Sequence, residues 1–84
     1  MEVKLFYKSQ VEVADVINEL IDQYWQHNMD EPLLIENINK LYENNQAKII
    51  KNEEFTTVIR QKCGKRRIDV LERVLKLSGK LDVI

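Results

Sequence analysis

Apolar residues recur at three- and four-residue spacing early in the chain, and this period decides the expected fold class. Five of them between Gln10 and His27 form a single stripe: Val13, Ile17, Leu20, Ile21 and Tyr24. Such a stripe is typical of an amphipathic helix that packs against a core. With only two Gly and one Pro in 84 residues, the chain lacks the turn residues that a β-sandwich or barrel needs. We therefore expect an all-α domain.

Capping residues mark two helix starts in the first half of the chain. Ser9 and Glu12 fit a capping box, in which each side chain accepts a hydrogen bond from a free backbone N–H. The helix that follows is expected to end near His27. Asp30 can cap a second helix, which we expect to end near Asn44, because asparagine tolerates the left-handed conformation of a helix C-terminus.

Two more helices are expected in the second half. Asn52 is a capping residue, and Glu53 and Glu54 behind it would lie in the positive first turn of a third helix. Gly64 is expected to end that helix. A fourth helix then presents a broad apolar face as far as Leu77. About four short helices of this kind predict a compact bundle.

The chain is expected to form a single domain over residues 1–84. This length supports one modest core but not a roomy active-site cleft. Its two ends, Val3–Tyr7 and Leu81–Ile84, alternate enough to allow a minor β pairing of the termini.

Charge is divided unevenly along the chain, although the formal net charge is only −1. Residues 1–45 hold three lysines and nine acidic residues, whereas residues 46–84 hold ten basic and five acidic residues. Any binding of anions must therefore come from a local patch. The same asymmetry is compatible with a homodimer in which the acidic half of one copy meets the basic half of another.

Basic residues concentrate at the junction of the third and fourth predicted helices. This basic corner consists of Arg60, Lys62, Lys65, Arg66 and Arg67, and Arg73 is a candidate extension. The last three of the five open a helix, where the dipole already places positive charge, and such a conflict tends to mark a functional site. Free N–H groups beside guanidinium groups suit a phosphate or a carboxylate.

A structural explanation of the basic corner stays open beside the functional one. A solvated charge run that offsets the acidic half of the same fold would need no ligand. Arg67 also falls toward the apolar side of its helix, so its stem is expected to cover part of the core. Because few aromatic residues are interleaved with the bases, the sequence does not support an aromatic stacking surface for single strands.

The first helix carries an acidic ladder on the side opposite its apolar stripe. Its members are Glu12, Asp15, Glu19 and Asp22. The simplest explanation is a solvated outer face, and the functional alternative is a docking surface for basic groups of a partner. Trp25 follows the ladder and would be a natural anchor for a partner protein if it is exposed.

Catalytic and metal-binding patterns are absent from the sequence. His27 is the single histidine and has no partner pattern for a metal ion or a catalytic base, and the single cysteine, Cys63, falls on an apolar stripe. No glycine-rich phosphate loop or spaced Cys/His cluster appears. We expect no enzyme activity, no metal, no cofactor and no small-molecule substrate.

A cytoplasmic location is the expectation. One cysteine allows no internal disulfide, which is typical of a reducing compartment. The first residues do not form the apolar segment of a signal peptide, and no stretch is long and apolar enough to cross a bilayer, so no membrane partner is expected.

Several short segments together resemble a group of uncharacterised Firmicute proteins of about this length. They are Phe6-Tyr7, Tyr24-Trp25, Asn44-Asn45, Asn52 with Phe55-Thr56, and Cys63-Gly64-Lys65-Arg66-Arg67. The resemblance covers most of the chain. It implies a bacterial, single-domain accessory protein and brings no ligand or catalytic residue.

Two functions follow from these features as hypotheses. The first is a non-enzymatic binding module whose basic corner, with Arg73, engages DNA or RNA phosphate. The second is a small regulatory or inhibitory protein that binds another protein, or a second copy of itself, through the acidic ladder or Trp25.

Overall fold

The structure, a computed structural model, describes residues 6–81, and these form four helices and one two-stranded hairpin. In chain order the elements are α1 (Gln10–Trp25), α2 (Glu31–Asn44), α3 (Gln46–Ile49), β1 (Ile50–Lys51), β2 (Glu54–Phe55) and α4 (Thr57–Leu77). Helix α1 packs most extensively on α4 and also packs on α2, and α2 in turn contacts α4. The predicted all-α bundle is confirmed, and the minor β pairing within residues 6–81 is this hairpin.

The first two helices begin where their capping residues predict. The Ser9 hydroxyl accepts a hydrogen bond from the backbone N–H of Glu12 at 3.2 Å. The Asp30 carboxylate accepts one from the backbone N–H of Leu33 at 3.0 Å, with Pro32 in the first turn of α2. Each cap satisfies an amide that has no partner within its helix.

The third predicted helix start, at Asn52, is wrong. Asn52 and Glu53 have φ angles of 54° and 66° and form the tip of the β1–β2 hairpin, in which Lys51 pairs with Glu54. Two left-handed residues at a two-residue tip match the twist of the flanking strands, and asparagine tolerates this conformation. Helix α4 begins only after Thr56, whose hydroxyl donates to the backbone carbonyl of Lys48 at 2.9 Å.

Gly64 interrupts α4 as predicted, but as a kink within one long element. Its φ of 76° and ψ of 167° lie in a region that is essentially restricted to glycine. The kink divides α4 into an N-terminal arm, residues 57–63, and a C-terminal arm, residues 65–77. Both arms contribute buried side chains, including Ile59 and Cys63 from the first and Leu71 and Leu75 from the second.

The core is built from the predicted apolar stripes. The completely buried side chains from α1 and α2 are Val13, Ala14, Ile17, Leu20, Ile21, Ile38 and Leu41. Leu77 does not belong to the core, since 71% of its surface is exposed. It lies at the end of α4, next to the Ser78 that caps this helix.

The predicted pairing of the termini lies mostly outside the described residues. Phe6, Tyr7 and Leu81, the three of its residues that are described, are not in strands. The backbone N–H of Tyr7 donates instead to the side-chain oxygen of Asn45, at 3.2 Å. Asn45 is buried at the start of α3 and also donates to the carbonyl of Leu41 at 3.0 Å.

Candidate binding site at the kink of α4

The kink places the basic corner against α1. A break in a helix leaves carbonyls without their usual amide donors, and side chains satisfy two of them here. The Asn18 amide of α1 donates to the carbonyl of Lys62 at 3.0 Å. The Arg67 guanidinium donates to the carbonyl of Cys63 at 3.4 Å. The kink is therefore held both by α1 and by a side chain of the basic corner.

Arg67 makes the most developed contact between the two helices. Its guanidinium forms a bidentate pair with the carboxylate of Asp22, in which Nε donates to Oδ1 and Nη2 to Oδ2, each at 3.0 Å. Nη2 also lies 2.8 Å from Oδ1. About a third of each side chain is exposed, 32% for Arg67 and 36% for Asp22. Bidentate geometry and partial burial both strengthen such a pair. The prediction that Arg67 is partly structural is consistent with this position.

Lys62 makes a second, weaker contact with the acidic ladder. Its ammonium nitrogen lies 3.4 Å from a carboxylate oxygen of Asp15, and both side chains are largely exposed. A pair of this kind contributes little to stability. Two of the five basic residues of the basic corner thus face acidic residues of the same fold. For these two, the structural explanation holds, in which the charges are compensated within the chain.

The remaining bases have no ion pair within the described part of the chain. Arg60, Lys65 and Arg66 belong to the basic corner, and all three are exposed. Arg73, the candidate extension, is also exposed on the C-terminal arm. On the same arm, Lys76 pairs with Glu72 at 2.7 Å and so is already compensated. Four of the six predicted anion-binding residues are therefore available to a ligand.

Trp25 lies beside the basic corner, which the sequence did not predict. The guanidinium carbons of Arg66 and Arg67 are 5.5 and 5.7 Å from the centroid of its ring, within the range of cation–π attraction. Trp25 remains 39% exposed. The low aromatic content of the basic segment therefore did not indicate this contact, which joins residues about 40 positions apart in the chain. Trp25 ends α1 and Arg66 opens the second arm of α4, so only the packing of these helices brings them together.

An aromatic hollow adjoins this cluster at the end of α1. It is lined by Tyr24, Trp25, His27, Met29 and Asp30. Met29 is buried, Tyr24 is half-buried, and His27 and Asp30 are exposed. Since Trp25 belongs both to the hollow and to the contact with Arg66, an apolar surface and a cationic surface are continuous here.

The acidic ladder is not a free surface along its whole length. Asp15 and Asp22 face α4, where they pair with Lys62 and Arg67. Glu12 and Glu19 are exposed and, among residues 6–81, have no ion pair. The ladder therefore offers a partner two separated carboxylates rather than four.

Cys63 is packed beneath the kink. Only 3% of its surface is exposed, and its thiol lies 4.0 Å from the carbonyl oxygen of Ala14. Burial raises the pKa of the Cys63 thiol from its ordinary 9.0 to about 11, despite the opposing effect of the Arg67 charge. Within residues 6–81, no group of three or more His, Cys, Asp or Glu side chains is placed to hold a metal ion. None of the helices described is both long enough and apolar enough to span a membrane.

Comparison with known proteins identifies a family. A family model described as "conserved hypothetical protein" matches residues 4–76, which include the basic corner and all of α1. The resemblance to uncharacterised proteins inferred from the sequence is confirmed at this level. No curated protein and no solved structure matches the chain.

Proposed function

The chain belongs to this family of conserved hypothetical proteins, and we propose that it is a non-enzymatic binding module for nucleic-acid phosphate. The exposed bases around the kink of α4 would supply the contact. The observation that carries the proposal is the exposure of Lys65 and Arg66 without an acidic partner within residues 6–81. Both are exposed next to the kink, and neither has an ion pair in the described part of the chain.

The proposal divides the predicted binding residues into two groups. Lys65 and Arg66 contact phosphate, and Arg60 and Arg73 extend the contact along α4. Lys62 and Arg67 hold α4 against α1 through Asp15 and Asp22. This division follows from the cost of separating charges: a base already paired with a carboxylate gains less from a phosphate than an unpaired base does.

The local charge supports the proposal although the whole chain is slightly acidic. In the described part of the chain, two acids, Asp15 and Asp22, contact the basic corner, and they pair with Lys62 and Arg67. Within residues 6–81, Lys65 and Arg66 form no ion pair. We expect modest affinity, which falls with salt because bound phosphates release counterions.

A role without covalent catalysis agrees with the environment of Cys63. This thiol is buried with a raised pKa, so the nucleophilic thiolate is scarce at neutral pH. We also expect a cytoplasmic location in a bacterial cell, which stays a prediction.

The alternative, a protein partner on the acidic ladder, has less support. Asp15 and Asp22 are already paired with α4, which leaves Glu12 and Glu19 for a partner or a second copy. Exposed Trp25 favours a protein partner more than the ladder does, because tryptophan and arginine are enriched at the centres of interfaces. This candidate gains support if the following experiment finds no binding of nucleic acid.

The test measures fluorescence anisotropy of labelled single-stranded RNA, single-stranded DNA and duplex DNA at low salt. The binding variant is Lys65→Glu/Arg66→Glu, in which Arg67 is left intact to preserve its pair with Asp22. The matched control is Lys40→Glu/Lys51→Glu, which changes the net charge equally at two exposed lysines on α2 and β1.

We expect binding by the wild type and the control, and loss of binding in the Lys65/Arg66 variant with its helical circular dichroism unchanged. Equal loss in both variants would show that only net charge matters and would contradict a site at the kink. No binding of any strand by the wild type would overturn the proposed function.

A further inference from the structure

The aromatic hollow at the end of α1 adds a second kind of surface to the basic corner. Trp25 is 39% exposed, and the lining of the hollow includes the buried Met29. The guanidinium carbon of Arg66 lies 5.5 Å from the centroid of that ring. The hollow therefore offers a surface for an apolar or π-bonded part of a ligand whose phosphate lies on the basic corner.

We propose that the hollow receives an unpaired nucleobase of single-stranded nucleic acid. This inference rests on the proposed function and specifies the class of nucleic acid that is bound. The base stacks in the hollow against Trp25. The adjacent phosphates lie on Lys65 and Arg66. One ligand thus uses both surfaces, because every nucleotide joins a flat π-system to a phosphate.

The chemistry favours a single strand over a duplex. Aromatic side chains stack on bases whose faces are free, whereas the faces of bases in a duplex are covered by their neighbours. Guanidinium groups also stack on bases, and Arg66 already lies over an aromatic ring. The phosphates of a duplex would contact Lys65 and Arg66, but none of its nucleobases would enter the hollow.

The charges around the hollow are compatible with this ligand. Asp30 is the acid that lines it, and its carboxylate already accepts a hydrogen bond from the backbone N–H of Leu33 at 3.0 Å. Asp22 is paired with Arg67. Asp30 keeps its negative charge, so the phosphates belong at the Trp25 end of the hollow, beside Lys65 and Arg66, and not beside Asp30.

Trp25 is the single tryptophan of the chain, so its emission reports this site alone. We would titrate the wild-type protein with short oligothymidylate, with an abasic strand of the same length, and with duplex DNA. The expected result is quenched emission with oligothymidylate and no quenching with the abasic strand. We expect the abasic strand and the duplex to bind roughly tenfold more weakly, the order of effect that base–aromatic stacking produces.

Variants separate stacking from folding, with a labelled strand as the readout. Trp25→Ala is expected to weaken oligothymidylate about tenfold and to leave the abasic strand unchanged, and Trp25→Phe should restore most of the loss. The control is Phe6→Ala, which removes an aromatic side chain that is 69% exposed ahead of α1.

Equal affinity for the base-containing strand, the abasic strand and the duplex, without any change in emission, would overturn the base-stacking proposal. If Lys65→Glu/Arg66→Glu still abolished that binding, the proposed function would survive. Absence of binding by all three ligands would overturn both.

Discussion

Arg67 forms a bidentate ion pair with Asp22 and also contacts two other parts of the molecule. Its Nε donates to Oδ1 of Asp22 at 3.0 Å, and its Nη2 contacts both carboxylate oxygens at 2.8 and 3.0 Å. The same guanidinium donates to the carbonyl of Cys63 at the kink and lies 5.7 Å from the ring of Trp25. One side chain thus connects α1, the kink of α4 and the edge of the aromatic hollow.

Removing this side chain should destabilise the fold more than removing its neighbour Lys62. We expect Arg67→Ala to lower the free energy of unfolding by about 1–2 kcal/mol, because a charged bidentate pair and a capped carbonyl are lost. Lys62→Ala should cost under about 0.5 kcal/mol, since its pair with Asp15 is exposed. Urea denaturation measures both. Equal effects would contradict the structural role of Arg67, and a double-mutant cycle with Asp22→Asn should return a coupling of about 1 kcal/mol.

Gly64→Ala should be more costly than Gly79→Ala. A Cβ at either glycine would meet no atom within 4 Å, so the cost arises from the backbone and not from a clash. The φ of 76° and ψ of 167° at Gly64 suit essentially glycine alone, and we expect a loss of about 2–3 kcal/mol. Gly79 follows the end of α4 with a φ of 71°, where we expect about 1 kcal/mol. Thermal unfolding compares the two variants, and an unchanged midpoint for Gly64→Ala would contradict the kink.

Glu53→Gly should stabilise the protein. Glu53 has a φ of 66° at the tip of the β1–β2 hairpin, behind Asn52, and the preferred sequence for such a tip is Asn-Gly. Relief of this backbone strain should raise the free energy of unfolding by about 0.5–1 kcal/mol. The control is Glu54→Gly in β2, which should lower it by a similar amount. Destabilisation by Glu53→Gly would contradict the turn geometry.

Cys63 should be unreactive in the folded protein and should make stability depend on alkaline pH. Its pKa is about 11 when folded and 9.0 ordinarily, so above pH 9 the unfolded chain binds fewer protons than the folded one. The free energy of unfolding therefore falls as pH rises from 9 toward 11. Subtracting the pH profile of Cys63→Ala isolates this contribution from those of lysine and tyrosine. A thiol reagent should label Cys63 at pH 8 only after denaturation, and rapid labelling of the native protein would contradict its burial.

Local chemistry predicted much of this fold. Ser9 and Asp30 cap helices through contacts with their own neighbours in sequence, so the residue pattern is sufficient to place α1 and α2. The interruption at Gly64 was also predictable, because glycine is the residue that most readily adopts the conformation seen there. The helix start predicted at Asn52 was wrong because asparagine suits both a helix cap and a hairpin tip. The packing of Ile50 and Phe55 against the core favours the hairpin.

The site was predictable only in part. A run of bases is evident in the sequence, but its pairing is not: whether Arg67 meets Asp22 depends on how α1 and α4 pack together. The same holds for Trp25 and Arg66, which no local pattern connects. Composition therefore indicated a basic corner, whereas the division into paired and available bases, and the hollow beside them, required the tertiary structure.

The most direct test of phosphate binding is the salt dependence of affinity for single-stranded RNA, measured for the wild type and for Lys65→Ala/Arg66→Ala. Each phosphate neutralised on a single strand contributes about −0.7 to the slope of log affinity against log salt concentration. With two to four available bases, the wild-type slope should lie between about −1.4 and −2.8. The double variant should lose about 1.4 of that slope. An affinity that does not change with salt concentration, or a slope in the variant equal to that of the wild type, would contradict phosphate binding at the kink of α4.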